Sequence, residues 1–170
     1  MDTGQLRAVL SQSLGSSFAG VYPRDLIPHQ LRPYEKAIVV NTDPHDRPGM
    51  HWVCLYLNTP IIEYFDSYGL PPLHHEIRDF IARHAQQWDY NRNRYQDYST
   101  DVCGQYCVYY LQQRHRGNMN ALDWLFPFPK TSRLSPLQRD HYVAEWFRET
   151  YRKAKRNQGQ TCQCFWQNMF

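Results

Sequence analysis

Two apolar runs, His51-Trp-Val-Cys-Leu-Tyr-Leu57 and Ile61-Ile-Glu-Tyr-Phe65, are separated only by Asn58-Thr59-Pro60. A connection that short between β-rich runs admits one simple arrangement, an antiparallel hairpin over 51–65. Its consequence is geometric. His51 opens the first strand and Asp66 directly follows the second, so both stand at the same end of the hairpin. An imidazole and a carboxylate placed there can hydrogen-bond, which fixes the tautomer and supports the imidazolium. Taken alone, the pair reads first as a surface histidine and a turn-capping aspartate.

Around the hairpin the pattern alternates in kind. Leu6, Val9, Leu10 and Leu14 recur at helical spacing and predict a helix over 3–14. Pro23, Pro28 and Pro33 are expected to keep the chain irregular as far as residue 34. Lys36 to Asn41 reads as a buried strand, and the run from Asp43 to Gly49 as a turn-rich loop. Ile77, Phe80, Ile81, Ala85 and Trp88 share one face of a helix expected over 73–88, followed by an edge-like strand from Tyr90 to Gln96. Asp101 is positioned to cap a helix that contains Cys103 and runs to Arg114, with Gly117 ending it. Pro127 and Pro129 punctuate a loop. Ser135-Pro-Leu-Gln138 is a capping box opening a last helix, with Val143, Phe147, Tyr151 and Ala154 inward. Strands in the middle, a hairpin and flanking helices indicate an α+β fold with a small, mixed, largely antiparallel sheet.

At 170 residues, with 42% hydrophobic and 15% aromatic composition, a packed core is feasible and one domain over 1–170 is the simplest division. No apolar run approaches the length of a membrane span, and the N-terminus lacks the apolar core of a secretory signal. The five cysteines have no framework spacing, which indicates free thiols and a reducing intracellular compartment. A net charge of +3 does not by itself argue for nucleic-acid binding. The local basic run Arg152, Lys153, Lys155, Arg156 reads as a solvated face or tail.

Cys103 lies at the start of its helix, where the helix dipole and unpaired N–H groups favour thiolate. Cys107, one turn later, reads as an ordinary buried thiol. Gly104 beside Cys103 lets another backbone or a ligand approach. Gln96 precedes Cys103 by seven residues in a polar segment and has a plain reading as a solvent-facing amide. Together, a nucleophile, a base, a group to orient the base and an amide donor are the parts that thiol-based acyl transfer needs.

These residues carry a resemblance. Val39-Val-Asn-Thr42 leading into Gly49-Met-His51-Trp52, then Phe65-Asp66-Ser-Tyr-Gly69, Gln96, and Cys103-Gly-Gln-Tyr-Cys107 resemble the adenovirus protease (adenain) family. That family belongs to a clan of thiol proteases that includes the SUMO proteases. The similarity spans about 18–115, where Phe18-Ala-Gly-Val-Tyr22 also resembles the family's N-terminal segment. Compact relatives of this kind occur in Polinton (Maverick) transposons and related viruses. Asp66 stands where adenain has Glu, as in the SUMO proteases, and the chain is shorter after the Cys helix.

The resemblance implies a cysteine endopeptidase with polypeptide substrates, no cofactor, and a preference for Gly-containing cleavage sites. Cys103 is the nucleophile, His51 the base, Asp66 its orienter, and Gln96 with the Cys103 N–H the oxyanion hole. Trp52 is expected to pack near the site. The implied setting is processing of viral or transposon precursors, in the host nucleus or virion, with an activating peptide or DNA as further partners and no membrane. Adenain tethers its activating peptide through a cysteine upstream of the Gln, whereas no Cys lies between 54 and 103 here. The tail from 157 to 170, with Cys162, Cys164, Phe165 and Trp166, reads either as a frayed end or as a peptide acting in cis.

Three rivals remain open. A ubiquitin-like (SUMO-type) isopeptidase or acetyltransferase of the same clan uses the same constellation. A non-catalytic DNA-binding virion component would rely on the basic run. A zinc module would use Cys103, Cys107, Cys162 and Cys164, with spacings unlike the usual pairs.

Overall fold

The computed structural model describes residues 1–117 and 134–167, with side chains through residue 157. Five strands form one sheet in the order β1 (Phe18–Pro23), β2 (Ala37–Asn41), β3 (Trp52–Asn58), β4 (Ile61–Phe65), β5 (Gln87–Tyr90). The two outer pairings are parallel and the two inner ones antiparallel. Among the described residues, four α-helices flank the sheet: α1 (Thr3–Leu14), α2 (His75–His84), α3 (Cys103–His115) and α4 (Pro136–Gln167). The α+β class with a mixed sheet is therefore as the sequence indicates. Among the described residues, no helix is long and apolar enough to cross a membrane.

Alternation along the central strands explains why their sequences are continuously apolar. Ile38, Val40, Val53, Leu55, Ile62 and Tyr64 point to one face, where Ile77, Phe80 and Ile81 of α2 cover them. Val39, Cys54 and Phe65 point to the other, against Leu6 and Leu10 of α1, Tyr106 and Tyr110 of α3, and Val143 and Phe147 of α4. A sheet buried on both faces shows no hydrophobic-in, polar-out signal along its strands.

Three elements differ from expectation. The segment after α1 is not irregular: Phe18–Pro23 forms edge strand β1, with Pro23 as its last residue. Proline is compatible with that position because an edge or terminal residue need not donate to the ladder. The second helix stops at His84 rather than 88, and the strand that follows is Gln87–Tyr90 rather than 90–96. Trp88 shares the helical spacing only by coincidence; it pairs with Ile62 on the sheet edge and remains 45% exposed. Ending the helix there lets β5 satisfy the open edge of β4.

The last helix opens as expected, with the Ser135 N–H donating to Gln138 Oε1 and the Gln138 N–H to Ser135 Oγ. Val143, Phe147 and Ala154 are buried. Its backbone continues to Gln167, through most of the segment read as a tail. The loop expected around Pro127 and Pro129 lies outside the described residues, as do the side chains of Cys162, Cys164, Phe165 and Trp166.

Candidate active site

The hairpin register sets the site. Cys54 pairs with Phe65 and Leu55 with Tyr64, so the chain just before β3 and the turn just after β4 meet at one end. There the His51 Nε2–H donates to Asp66 Oδ1 at 3.0 Å. The His51 carbonyl accepts the Thr42 N–H at 2.9 Å, which pins its backbone to the end of β2. Gly49 makes the return possible. Its φ is +87°, and a Cβ there would come within 2.6 Å of the Asn41 side chain.

Asp66 is buried and held from several sides. Its Oδ1 also accepts the Tyr68 N–H at 2.7 Å, and its carbonyl accepts the Gly69 N–H at 2.9 Å, closing a tight turn. Gly69 has φ +73° and lies so close to the Asn93 carbonyl carbon that a Cβ would sit 2.8 Å away. Asn91, fully buried, brackets the Asp66 backbone: Oδ1 accepts the Asp66 N–H at 2.9 Å and Nδ2 donates to the Asp66 carbonyl. The Tyr68 ring stacks on the imidazole at 5.0 Å between centroids. Asn91 and Tyr68 were not assigned roles from sequence. Tyr68 stood inside the Asp66–Gly69 motif, but nothing in the polar run around residue 91 marks Asn91 out.

Cys103 is the first residue of α3, and its thiol lies close enough to the His51 imidazole to act on its charge. Since Nε2 is committed to Asp66, Nδ1 is the nitrogen left to exchange a proton with the thiol. Burial alone would lower the His51 pKa. The hydrogen bonds to Asp66 and Cys103, with their charges, outweigh it and raise the value from 6.5 to about 10. The helix is capped by Val102 without a side-chain hydrogen bond, so Asp101 is not the cap expected. Gly104 also serves differently from expectation: a Cβ would meet Met1 Sδ at 2.7 Å and Trp52 Cδ1 at 3.2 Å. Its bareness accommodates side chains packed behind the thiol, and Trp52 does pack there.

The other described cysteines are unlike Cys103. Cys54 and Cys107 are wholly buried, and the Cys54 thiol faces the Cys107 carbonyl at 3.9 Å. Burial, then the neighbouring Cys54, pushes the Cys107 thiol well up.

Gln96 is fully buried rather than solvent-facing. Its Oε1 accepts the Ser67 Oγ–H at 2.7 Å and its Nε2 donates to the Thr100 carbonyl at 2.5 Å. The Tyr95 and Gln96 N–H groups both donate to the Ser67 carbonyl. Gln96 is thus tied to the residue after Asp66, and one Nε2 hydrogen has no acceptor among the described residues. Asp66 is bonded to His51, Cys103 lies near enough to act on the His51 charge, and Gln96 joins them through the Asp66-Ser67 turn. No group of three or more His, Cys, Asp or Glu among the described residues is placed to hold a metal ion.

No family model and no curated protein matches the chain. Among solved structures, the central domain of the uncharacterized Lpg1148 protein from Legionella pneumophila aligns with a TM-score of 0.56 at 18% identity, over 91% of this chain and 97% of that one. That likeness shows a shared fold. The ASFV protease aligns with a TM-score of 0.47 at 22% identity, over 66% of this chain. The chain spans 44% of the length of that protease.

Proposed function

We propose that the chain is a cysteine-type endopeptidase in which His51, Asp66 and Cys103 form the catalytic triad. The observation that carries this reading is the 3.0 Å bond from His51 Nε2 to Asp66, with the Cys103 thiol at a helix N-terminus near enough to the same imidazole to raise its pKa. Cys103 Sγ attacks the scissile carbonyl carbon while its proton resides on His51 Nδ1. Collapse of the tetrahedral intermediate breaks the C–N bond, and His51 Nδ1–H protonates the departing amine. Water, deprotonated by the same nitrogen, then hydrolyses the thioester. Asp66 holds the tautomer and balances the imidazolium. The free hydrogen of Gln96 Nε2 and the unpaired Cys103 N–H are the donors for the oxyanion.

The sequence resemblance supports polypeptides cleaved at Gly-containing sites as substrates, within viral or transposon precursors in the nucleus or virion. The exposed run Arg152, Lys153, Lys155 and Arg156 on α4 is the surface through which DNA would act as an auxiliary partner. Incubation with a Gly-rich peptide library, a SUMO or ubiquitin fusion, and acyl-CoA tests the reading. Cleavage of peptides that is lost in Cys103→Ala is expected. Turnover of the fusion alone makes the chain an isopeptidase, and acyl transfer alone makes it an acetyltransferase.

A further inference from the structure

Asp140 belongs to α4, far along the chain from every residue of the triad, yet it is 1% exposed and carries three short hydrogen bonds. Its Oδ2 accepts the Asp97 N–H at 2.9 Å and the Thr100 Oγ–H at 2.5 Å. Its Oδ1 accepts the Tyr106 hydroxyl at 2.7 Å. Burying a carboxylate is costly unless every lone pair is used, and here the donors are a backbone amide and two hydroxyls. They share a location. Asp97 and Thr100 bracket the short loop that follows Gln96, and Tyr106 lies one turn beyond Cys103.

Gln96 closes the same loop from the other side, donating Nε2–H to the Thr100 carbonyl. A carbonyl can only accept, so this bond fixes which end of the amide is NH₂. The orientation of the remaining N–H therefore depends on where Thr100 stands, and Asp140 fixes Thr100 from behind. We propose that Asp140 is a positioning residue for the oxyanion donor, acting through Thr100 and Asp97 to aim the Gln96 amide. The last helix thereby governs how well the site receives negative charge. This inference rests on the reading of Gln96 as the oxyanion donor, where small misplacement of a donor is expensive.

The chemistry of the cluster supplies its own rescue variant. In Asp140→Asn, the amide oxygen can keep Asp97 and Thr100, while the new NH₂ donates to the Tyr106 oxygen. The Tyr106 hydroxyl can turn toward the Tyr95 carbonyl, already 3.3 Å away. Asp140→Ala has no such option.

The test compares wild type, Asp140→Ala, Asp140→Asn and Thr100→Val, each also in a Gln96→Ala background, using the full chain and one cleavable peptide. Asp140→Ala is expected to lower kcat by roughly 10- to 100-fold with little change in KM. Asp140→Asn should restore most of it, and Thr100→Val, which deletes one bond only, should fall between. Alkylation of Cys103 by iodoacetamide needs no oxyanion site and should keep its wild-type rate in all three. In the Gln96→Ala background the Asp140 substitution should cost nothing further. Circular dichroism and melting temperature report the folded fraction, and Thr100→Val serves if Asp140→Ala does not fold. Unchanged kcat in Thr100→Val and Asp140→Ala, failure of Asp140→Asn to rescue, or losses that multiply with Gln96→Ala overturn the inference. If wild type cleaves no peptide and alkylates Cys103 no faster than Cys54, the protease reading itself falls and takes this one with it.

Discussion

Tyr68 serves His51 twice: its ring stacks on the imidazole at 5.0 Å, and its N–H shares Asp66 Oδ1 with His51 Nε2–H. Tyr98 stacks in turn on Tyr68 at 5.5 Å, with the Arg94 guanidinium over Tyr98. The stack shields the imidazole–carboxylate bond from water, and an aromatic face suits a neighbouring imidazolium.

Removing that ring should therefore weaken the charged form of His51. Tyr68→Phe keeps the stack and is expected to retain kcat/KM. Tyr68→Ala opens the bond to water, lowering kcat/KM and moving its alkaline limb toward neutrality. Peptide hydrolysis measured against pH separates the two variants. Equal profiles for Ala and wild type would show that the ring plays no part.

Asp66 and Cys103 raise the His51 pKa from 6.5 to about 10, which gives a signed pH dependence. The folded state favours the imidazolium, so this stabilisation is full below about pH 6.5 and disappears as pH rises through about 10. The melting temperature of wild type minus that of His51→Gln should shrink over that window. Hydrolysis should fall near pH 10, because the amine can no longer be protonated, whereas alkylation of Cys103 should not. Asp66→Asn should bring the fall in hydrolysis to lower pH. A wild-type alkaline limb already complete by pH 8 would refute the assignment.

What could be read from the sequence was what its spacing encodes locally. The hairpin, α1 with its four buried apolar residues, and the Ser135 capping box depend on neighbours in the chain. The hairpin alone put His51 and Asp66 at one end of the sheet, but a surface histidine beside a turn aspartate fitted the same spacing. Cys103 came from its place before a helix, although the cap there is not Asp101. β1 was hidden and β5 was expected too late in the chain, because an edge strand is defined by its partner, not by its own residues. Asn91, Ser67 and Asp140 were hidden for a similar reason. Their roles lie in bonds to residues 25 to 43 positions away, and polar side chains carry no period that would announce them.

Thiol selectivity follows from burial and contact. Cys54 and Cys107 are wholly buried, and the Cys107 thiol is pushed upward by burial, whereas Cys103 lies near enough to His51 to act on its charge. Brief iodoacetamide treatment at pH 7 followed by peptide mass mapping is expected to modify Cys103 ahead of both. His51→Gln should remove that preference. Modification of Cys107 first would place the nucleophile elsewhere.

Stability of the arrangement has a separate test in Glu63 and Arg114, which join β4, whose next residue is Asp66, to α3, which begins at Cys103. Arg114 Nε and Nη2 donate to the two Glu63 carboxylate oxygens, and the Tyr110 hydroxyl donates to Oε2. Both charged side chains are under a tenth exposed. Removing one charge leaves the other buried and unpaired, so Glu63→Gln or Arg114→Met should cost about 3–5 kcal/mol in urea unfolding. Replacing both, as Glu63→Met with Arg114→Met, removes the unpaired charge and should recover much of that loss. A loss below about 1 kcal/mol in each single variant, the size seen for exposed pairs, would mean that water reaches the bridge and that the sheet and α3 are joined by apolar packing instead.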